Sequence, residues 1–179
     1  VDALSMRGVA AAIGYSPAAL YEYFSSKLEL CECLFFSGND GLSARMRDAI
    51  AAMPVDATVL QRIGVANSAY RAFALEHPDL YRLIFSQPMP STDAADADRY
   101  KDESAFSFLV DLFREGMEAG EIQTGDPLIA ALSAWAFVHG YVTLEILGLL
   151  PHGDRAFQDS MFGAARRWYT YGLVPRGPV

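Results

Sequence analysis

The sequence predicts an all-α protein, on three observations. Apolar residues recur at helical spacing along the whole chain. No strand-like alternation of useful length and no internal repeat interrupts them. Breakers divide the pattern at Gly14, Ser25-Ser26, Met53-Pro54, His77-Pro78, Gln87 to Ser91, Ala119-Gly120, Gly125 to Pro127 and Pro151 to Gly153.

The first elements are short. Ser5 caps a helix whose buried side is Val9, Ala10 and Ile13, with Ala10 small where another helix must cross closely. Gly8 stands where an acidic residue would complete a capping box with Ser5. Gly14 tolerates the left-handed conformation that ends a helix. Ser16-Pro17 restarts one, with serine as cap and proline at the first helical position. In that second helix Leu20 and Phe24 face inward, while Ala18, Ala19, Glu22 and Tyr23 face outward. Ser26 and Glu29 form the S-x-x-E capping box of a third. Two short helices about a glycine turn have the spacing of a helix-turn-helix, a unit that lays one helix in a DNA groove. Lys27, a cation in the third helix's first turn, opposes the macrodipole and so points to an external anion such as a DNA phosphate. A solvated surface lysine is the alternative.

From Lys27 onward the helices are long. Gly38, Asn39, Asp40 and Gly41 predict a kink or short break in the first of them. A domain boundary fits best between Phe35 and Gly41, giving a small unit at 1–38 and a larger one at 39–179. The acidic run from Pro90 to Asp98 reads as an exposed loop. Leu128 to Leu150 is nearly all apolar. It contains His139 and Glu145 and has no close Lys or Arg anchors, so it reads as a helix covered on both sides rather than a membrane span.

Composition narrows the function classes. The 179 residues carry a net charge of −8, so attraction to nucleic acid cannot come from overall charge and must come from geometry. Cys31 and Cys33 are the only cysteines and point to different helix faces, which suits a reducing cytoplasm. No metal-ligand spacing and no cofactor motif is present. Gly14 to Ala18 only half-resembles a nucleophile elbow, so an enzyme is not expected. The chain opens on Val1 with no signal peptide, and a preceding N-terminal piece is expected.

The run A-A-A-I-G-Y-S-P-A-A-L-Y-E-Y-F-S-S-K-L-E-L resembles the DNA-binding domain of the tetracycline-repressor-like (TetR) regulators. That family's pattern falls here on Ser5, Val9, Ala10, Gly14, Tyr15, Ser16, Leu20, Tyr21, Tyr23, Phe24, Ser26, Lys27 and Leu30. The resemblance implies a recognition helix from Pro17 to Phe24. Ser5, Tyr21, Tyr23 and Lys27 would then touch phosphates or the groove edge, with Ser16, Ala18 and Ala19 near base edges. Alanines offer methyl contacts only, so direct readout is sparse. The family's first helix is absent from these residues.

The run Tyr70 to Phe85 with Trp135, His139 and Gly140 resembles the TetR subgroup named for a Trp-His-Gly (WHG) signature. The resemblance implies a larger ligand-binding and dimerisation domain. Its last two helices, Leu128 to Leu149 and Arg155 to Tyr171, would pair with their copies. Ser133, Phe137, Gly140 and Leu144 mark the interface on one, and Phe157, Met161, Ala164, Ala165 and Trp168 on the other. Tyr70, Phe73, Tyr81, Phe85, Phe106, Leu109, Phe113, Trp135 and His139 are candidates to line an apolar effector pocket; ordinary core is the alternative for each. The expected function is a dimeric cytoplasmic transcriptional regulator, a repressor released from a palindromic double-stranded DNA operator by a small, largely apolar effector. The alternative is a helical ligand-binding or interaction protein with a vestigial helix-turn-helix.

Overall fold

The computed structural model describes residues 5–86 and 104–174. Among them are eight helices and no strand: α1 (Met6–Ala12), α2 (Pro17–Tyr23), α3 (Lys27–Ala51), α4 (Val59–Glu76), α5 (Pro78–Ser86), α6 (Ala105–Glu118), α7 (Pro127–Ile146) and α8 (Arg155–Tyr171). The acidic run from Pro90 to Asp98 lies outside the described residues.

Side-chain caps start nearly every helix. Ser5, Ser16, Ser26, Thr58, Ser104, Asp126 and Asp154 each accept a hydrogen bond from a first-turn amide that would otherwise lack a partner. At α4 the cap is reciprocal. Thr58 Oγ1 accepts from the Gln61 amide at 3.2 Å and Gln61 Oε1 accepts from the Thr58 amide at 2.9 Å.

The expected break in α3 does not occur. The helix is continuous through Gly38, Asn39, Asp40 and Gly41. Gly38 serves packing instead: a Cβ there would lie 2.6 Å from Ile84 Cδ1, so its absence lets α5 press against α3. Asn39 turns its amide back onto the Phe35 carbonyl at 2.9 Å, within the helix rather than against it.

Three apolar clusters form on this frame. Met6, Ala10, Leu20 and Leu30, with Val9, Phe24 and Leu34 against them, knit α1, α2 and the start of α3 together. Phe35 begins the second, which joins α3, α4, α5 and α7 around Phe73, Ala74, Tyr81, Val138 and Val142. The third joins α4, α6 and α7 around Ile63, Phe113, Ala131 and Ala134. One helix, α3, thus changes cores between Leu34 and Phe35.

The tie between α4, α7 and α8 is ionic. Arg71 on α4 is 5% exposed and donates from Nε and Nη2 to both carboxylate oxygens of Glu145 on α7, at 2.7 and 2.6 Å. Its Nη1 donates to Asp159 Oδ1 on α8 at 2.6 Å, and the guanidinium lies over the Phe162 ring at 5.1 Å. These carboxylates hold the Arg71 proton more tightly than usual against the opposing effect of burial, and Arg71 in turn lowers the Asp159 pKa.

Replacing Arg71 by Ala strands the buried Glu145 carboxylate and should lower unfolding free energy by about 3–5 kcal/mol in urea titrations. Arg71→Met with Glu145→Leu should recover most of that loss. Because the folded Asp159 pKa is lowered, its contribution should be complete above about pH 4 and fade as pH falls further. Asp159→Asn should therefore show a shallower loss of melting temperature in acid than the parent chain.

Candidate functional site

Three surfaces bring the expected site residues together. The first is the N-terminal unit. Gly14 has φ 75°, and the Tyr15 amide donates to the Ala10 carbonyl at 2.8 Å, closing α1 and turning the chain into α2. Ser16 Oγ accepts from the Ala19 amide at 3.1 Å, and Pro17 opens the helix. Ala10 and Leu20 are buried where α1 and α2 cross. The opposite side presents Ser16, Ala18, Tyr21 and Tyr23 to solvent, with Ser5 also exposed and Ala19 and Lys27 half-buried. Ile13 departs from the expected buried side and is 54% exposed. Helix α1 ends at Ala12, so Ile13 leaves the helical stripe, and Met6 fills the cluster instead.

The cap of α3 closes one residue earlier than expected. Ser26 Oγ accepts from the Glu29 amide at 3.1 Å, but the Glu29 carboxylate accepts from the Ser25 amide at 2.7 Å and its hydroxyl at 2.5 Å. Those bonds lower the Glu29 pKa and place a carboxylate in the first turn, where the helix dipole favours one.

The second surface is a cavity of about 520 Å³ between α3, α4, α5, α6 and α7. This lies within the usual size of small-molecule sites. Of the nine expected lining residues, Tyr70, Phe85, Phe106, Leu109 and Trp135 line it. Phe73 and Phe113 are instead buried core, and Tyr81 and His139 stand behind Tyr70 and Phe85. Asn39, Leu42 and Met46 of α3 and Asn67 of α4 also line it. The sequence signal for Asn67 is a carboxamide on the stripe that carries Ile63, Ala66 and Tyr70.

Behind the cavity lies a polar cluster. His139 Nδ1 sits 2.7 Å from the Tyr81 hydroxyl and 3.0 Å from that of Tyr70, and the two hydroxyls are 3.4 Å apart. Burial lowers the His139 pKa and so favours the neutral ring, whose Nδ1 is hydrogen-bonded to the tyrosine hydroxyls. His139 is thus an interior hydrogen-bonded histidine packed edge-on against Phe85 at 4.8 Å. Among the described residues no His, Cys, Asp and Glu grouping could hold a metal ion.

The third surface runs along α7 and α8. Ala131, Ala134, Val138 and Val142 bury one stripe of α7 in the two large cores. Leu128, Ile129, Leu132 and Leu144 stay exposed on the same helix, as does Leu147 at its C-cap. Of the expected interface residues, Ser133, Leu144, Phe157 and Trp168 are exposed, Trp168 at 83%. Phe137, Gly140, Met161, Ala164 and Ala165 are half-buried; Phe137 stacks on Tyr169 of α8 at 5.3 Å.

Comparisons with known proteins agree with this architecture. Residues 1–33 match the family model of "bacterial regulatory proteins, tetR family". Residues 66–165, more than half of the chain, match "Tetracyclin repressor-like, C-terminal domain". The chain belongs to the TetR family. It is 25% identical over 166 residues to an uncharacterised HTH-type transcriptional regulator of Mycobacterium tuberculosis, spanning 92% of this chain and 72% of that protein. A solved protein of unknown function from Rhodococcus sp. RHA1 is 28% identical with a TM-score of 0.77, over 98% of this chain and 87% of that one. A TetR family transcription regulator from Marinobacter aquaeolei shares the fold at 18% identity, with a TM-score of 0.75 over 98% and 87% of the two chains.

In this TetR-family chain the matched C-terminal region takes in the cavity wall from Asn67 to Val138. The α3 contribution, Asn39, Leu42 and Met46, falls between the two matched regions.

The His139 cluster is open to a double-mutant cycle. Tyr70→Phe and Tyr81→Phe each leave His139 Nδ1 one hydroxyl partner, so each should cost about 1 kcal/mol or less. The pair removes both partners and should cost about 1 kcal/mol more than the sum, read from urea unfolding of the four proteins.

Proposed function

We propose that this chain is a dimeric repressor whose helix-turn-helix is released from a palindromic operator when a small, largely apolar effector fills the cavity. The observation that carries this reading is the span of α3. Leu30 and Leu34 pack in the N-terminal cluster, while Asn39, Leu42 and Met46 of the same unbroken helix line the cavity. A ligand that moves α3 therefore moves the unit at 1–38 relative to the body at 39–179.

Two copies pair through α7 and α8. The exposed apolar residues Leu132, Leu144, Phe157 and Trp168 support this, since large apolar side chains left uncovered on two neighbouring helices are available for an interaction surface. Pairing meets a geometric need: two recognition helices must enter successive major grooves about 34–36 Å apart, or a multiple of that spacing. At the DNA, Ser5, Tyr21, Tyr23 and Lys27 reach phosphates or the groove edge, and Ser16, Ala18 and Ala19 approach base edges. The protein acts in the cytoplasm as a binding switch rather than an enzyme. The net charge of −8 and the alanine-faced α2 favour a second reading, a ligand-binding protein with a vestigial helix-turn-helix.

Selection from random duplex oligonucleotides with the full-length protein separates the two. A palindromic consensus is expected, and recovery of no preferred sequence rules out the regulator reading. Lys27→Ala should weaken binding to that site and reduce the log-affinity against log-salt slope by about 1, with helicity unchanged. Tyr21→Ala should weaken it similarly. In sedimentation, Trp168→Glu should shift a dimer to monomer; a monomeric parent chain would contradict the pairing. An effector that raises melting temperature while leaving operator affinity unchanged would defeat the switch mechanism.

A further inference from the structure

Among the described residues, the cavity wall carries a hydrogen-bond donor with nothing to bind. Asn67 is 2% exposed, lines the cavity, and its Nδ2 has no acceptor among the described residues. A buried amide without an acceptor is unfavourable, and native proteins seldom leave one unless another molecule completes it. The neighbouring polar groups are committed elsewhere. Asn39 Nδ2 donates to the Phe35 carbonyl, the Tyr70 hydroxyl is held by His139 and Tyr81, and Ser104 and Ser107 bond each other.

Charge further narrows the ligand. The described lining holds one cation, Arg114, and one anion, Asp111, three residues apart on α6 and paired with each other. Among the described lining residues a charged ligand would lose its hydration with no unpaired opposite charge to meet it. The rest of the wall is apolar, dominated by Leu42, Met46, Phe85, Phe106, Leu109 and Trp135.

We infer that the cavity takes an uncharged, mostly apolar molecule bearing a carbonyl- or ether-type oxygen, which accepts a hydrogen bond from Asn67 Nδ2. This rests on the reading of the cavity as the effector site, and it names the ligand's chemistry. Asn67 is then the residue that distinguishes an oxygen-bearing ligand from a hydrocarbon of the same shape.

Four ten-carbon probes test it on the full chain: decan-2-one, decane, decanoate and decylammonium. Melting temperature and tryptophan emission are followed against probe concentration, Trp135 being in the cavity wall. Decan-2-one should bind about tenfold more tightly than decane, and both charged probes should bind more weakly than the ketone. Asn67→Leu should bring the ketone down to the affinity of decane without lowering the melting temperature of the unliganded protein. Asn67→Ala, which removes the donor without adding bulk, gives the same contrast if leucine does not fit.

Tighter binding of either charged probe than the ketone overturns the inference, as does a ketone preference that survives at Asn67→Leu and Asn67→Ala. Equal binding of decane and decan-2-one by the parent chain removes the acceptor role but leaves the cavity as a ligand site. If none of the four shifts melting or emission, the effector reading falls, and this inference with it.

Discussion

The Arg71 guanidinium is the joint on which the larger domain depends. It sits where α4, α7 and α8 meet and satisfies carboxylates on two of them at once. A planar group with donors in a fixed fork can engage Glu145 with two atoms and still reach Asp159 with a third; a lysine ammonium offers no such fork. The arrangement sets the position of α8 as well as holding it. Aromatic contacts such as Phe137 on Tyr169 and Tyr141 on Phe162 then complete the α7–α8 seam. The seam in turn determines which residues of the two helices are left facing outward.

Helix α7 has work on two sides. Its small and β-branched stripe, Ala131, Ala134, Val138 and Val142, lets α4 and α6 approach closely, while Trp135 forms part of the cavity wall. Leu132 and Leu144 of the same helix stay exposed among the described residues. By length and composition alone the helix is apolar enough to cross a membrane, yet it carries Glu145, bonded to Arg71 inside the fold. That ion pair is better satisfied within a protein core than in lipid.

How far the sequence was readable depended on the range of the interactions. The helix-turn-helix was legible because its determinants are local: a serine cap, a proline at the first helical position, and a glycine at positive φ. The Gly38 to Gly41 region misled for the same reason. Local propensity there favours a break by about 1 kcal/mol per glycine, but Ile84 and Leu80 from α5 pack where a side chain would be. Arg71 drew no notice because its partners lie 74 and 88 residues away. In the cavity, aromatic spacing found Tyr70, Phe85, Phe106 and Trp135. It could not separate Phe73 and Phe113, which fill cores, from residues facing a void. Asn39 read as part of a helix break, and Asn67 carried no expectation; tertiary packing places both in the cavity lining.

The unbroken α3 also has a mechanical consequence. From Leu42 at the cavity to Lys27 at the helix start is 15 residues, a lever arm of about 22 Å at 1.5 Å per residue. A tilt of about 5° about the cavity end would displace the far end by about 2 Å, and by about twice that between the opposed ends of the proposed dimer. A hinge at Gly38 would have absorbed the tilt locally. Packed against Ile84, the glycine instead stiffens the arm, so that in the proposed switch small rearrangements around an effector would be amplified into a change of span.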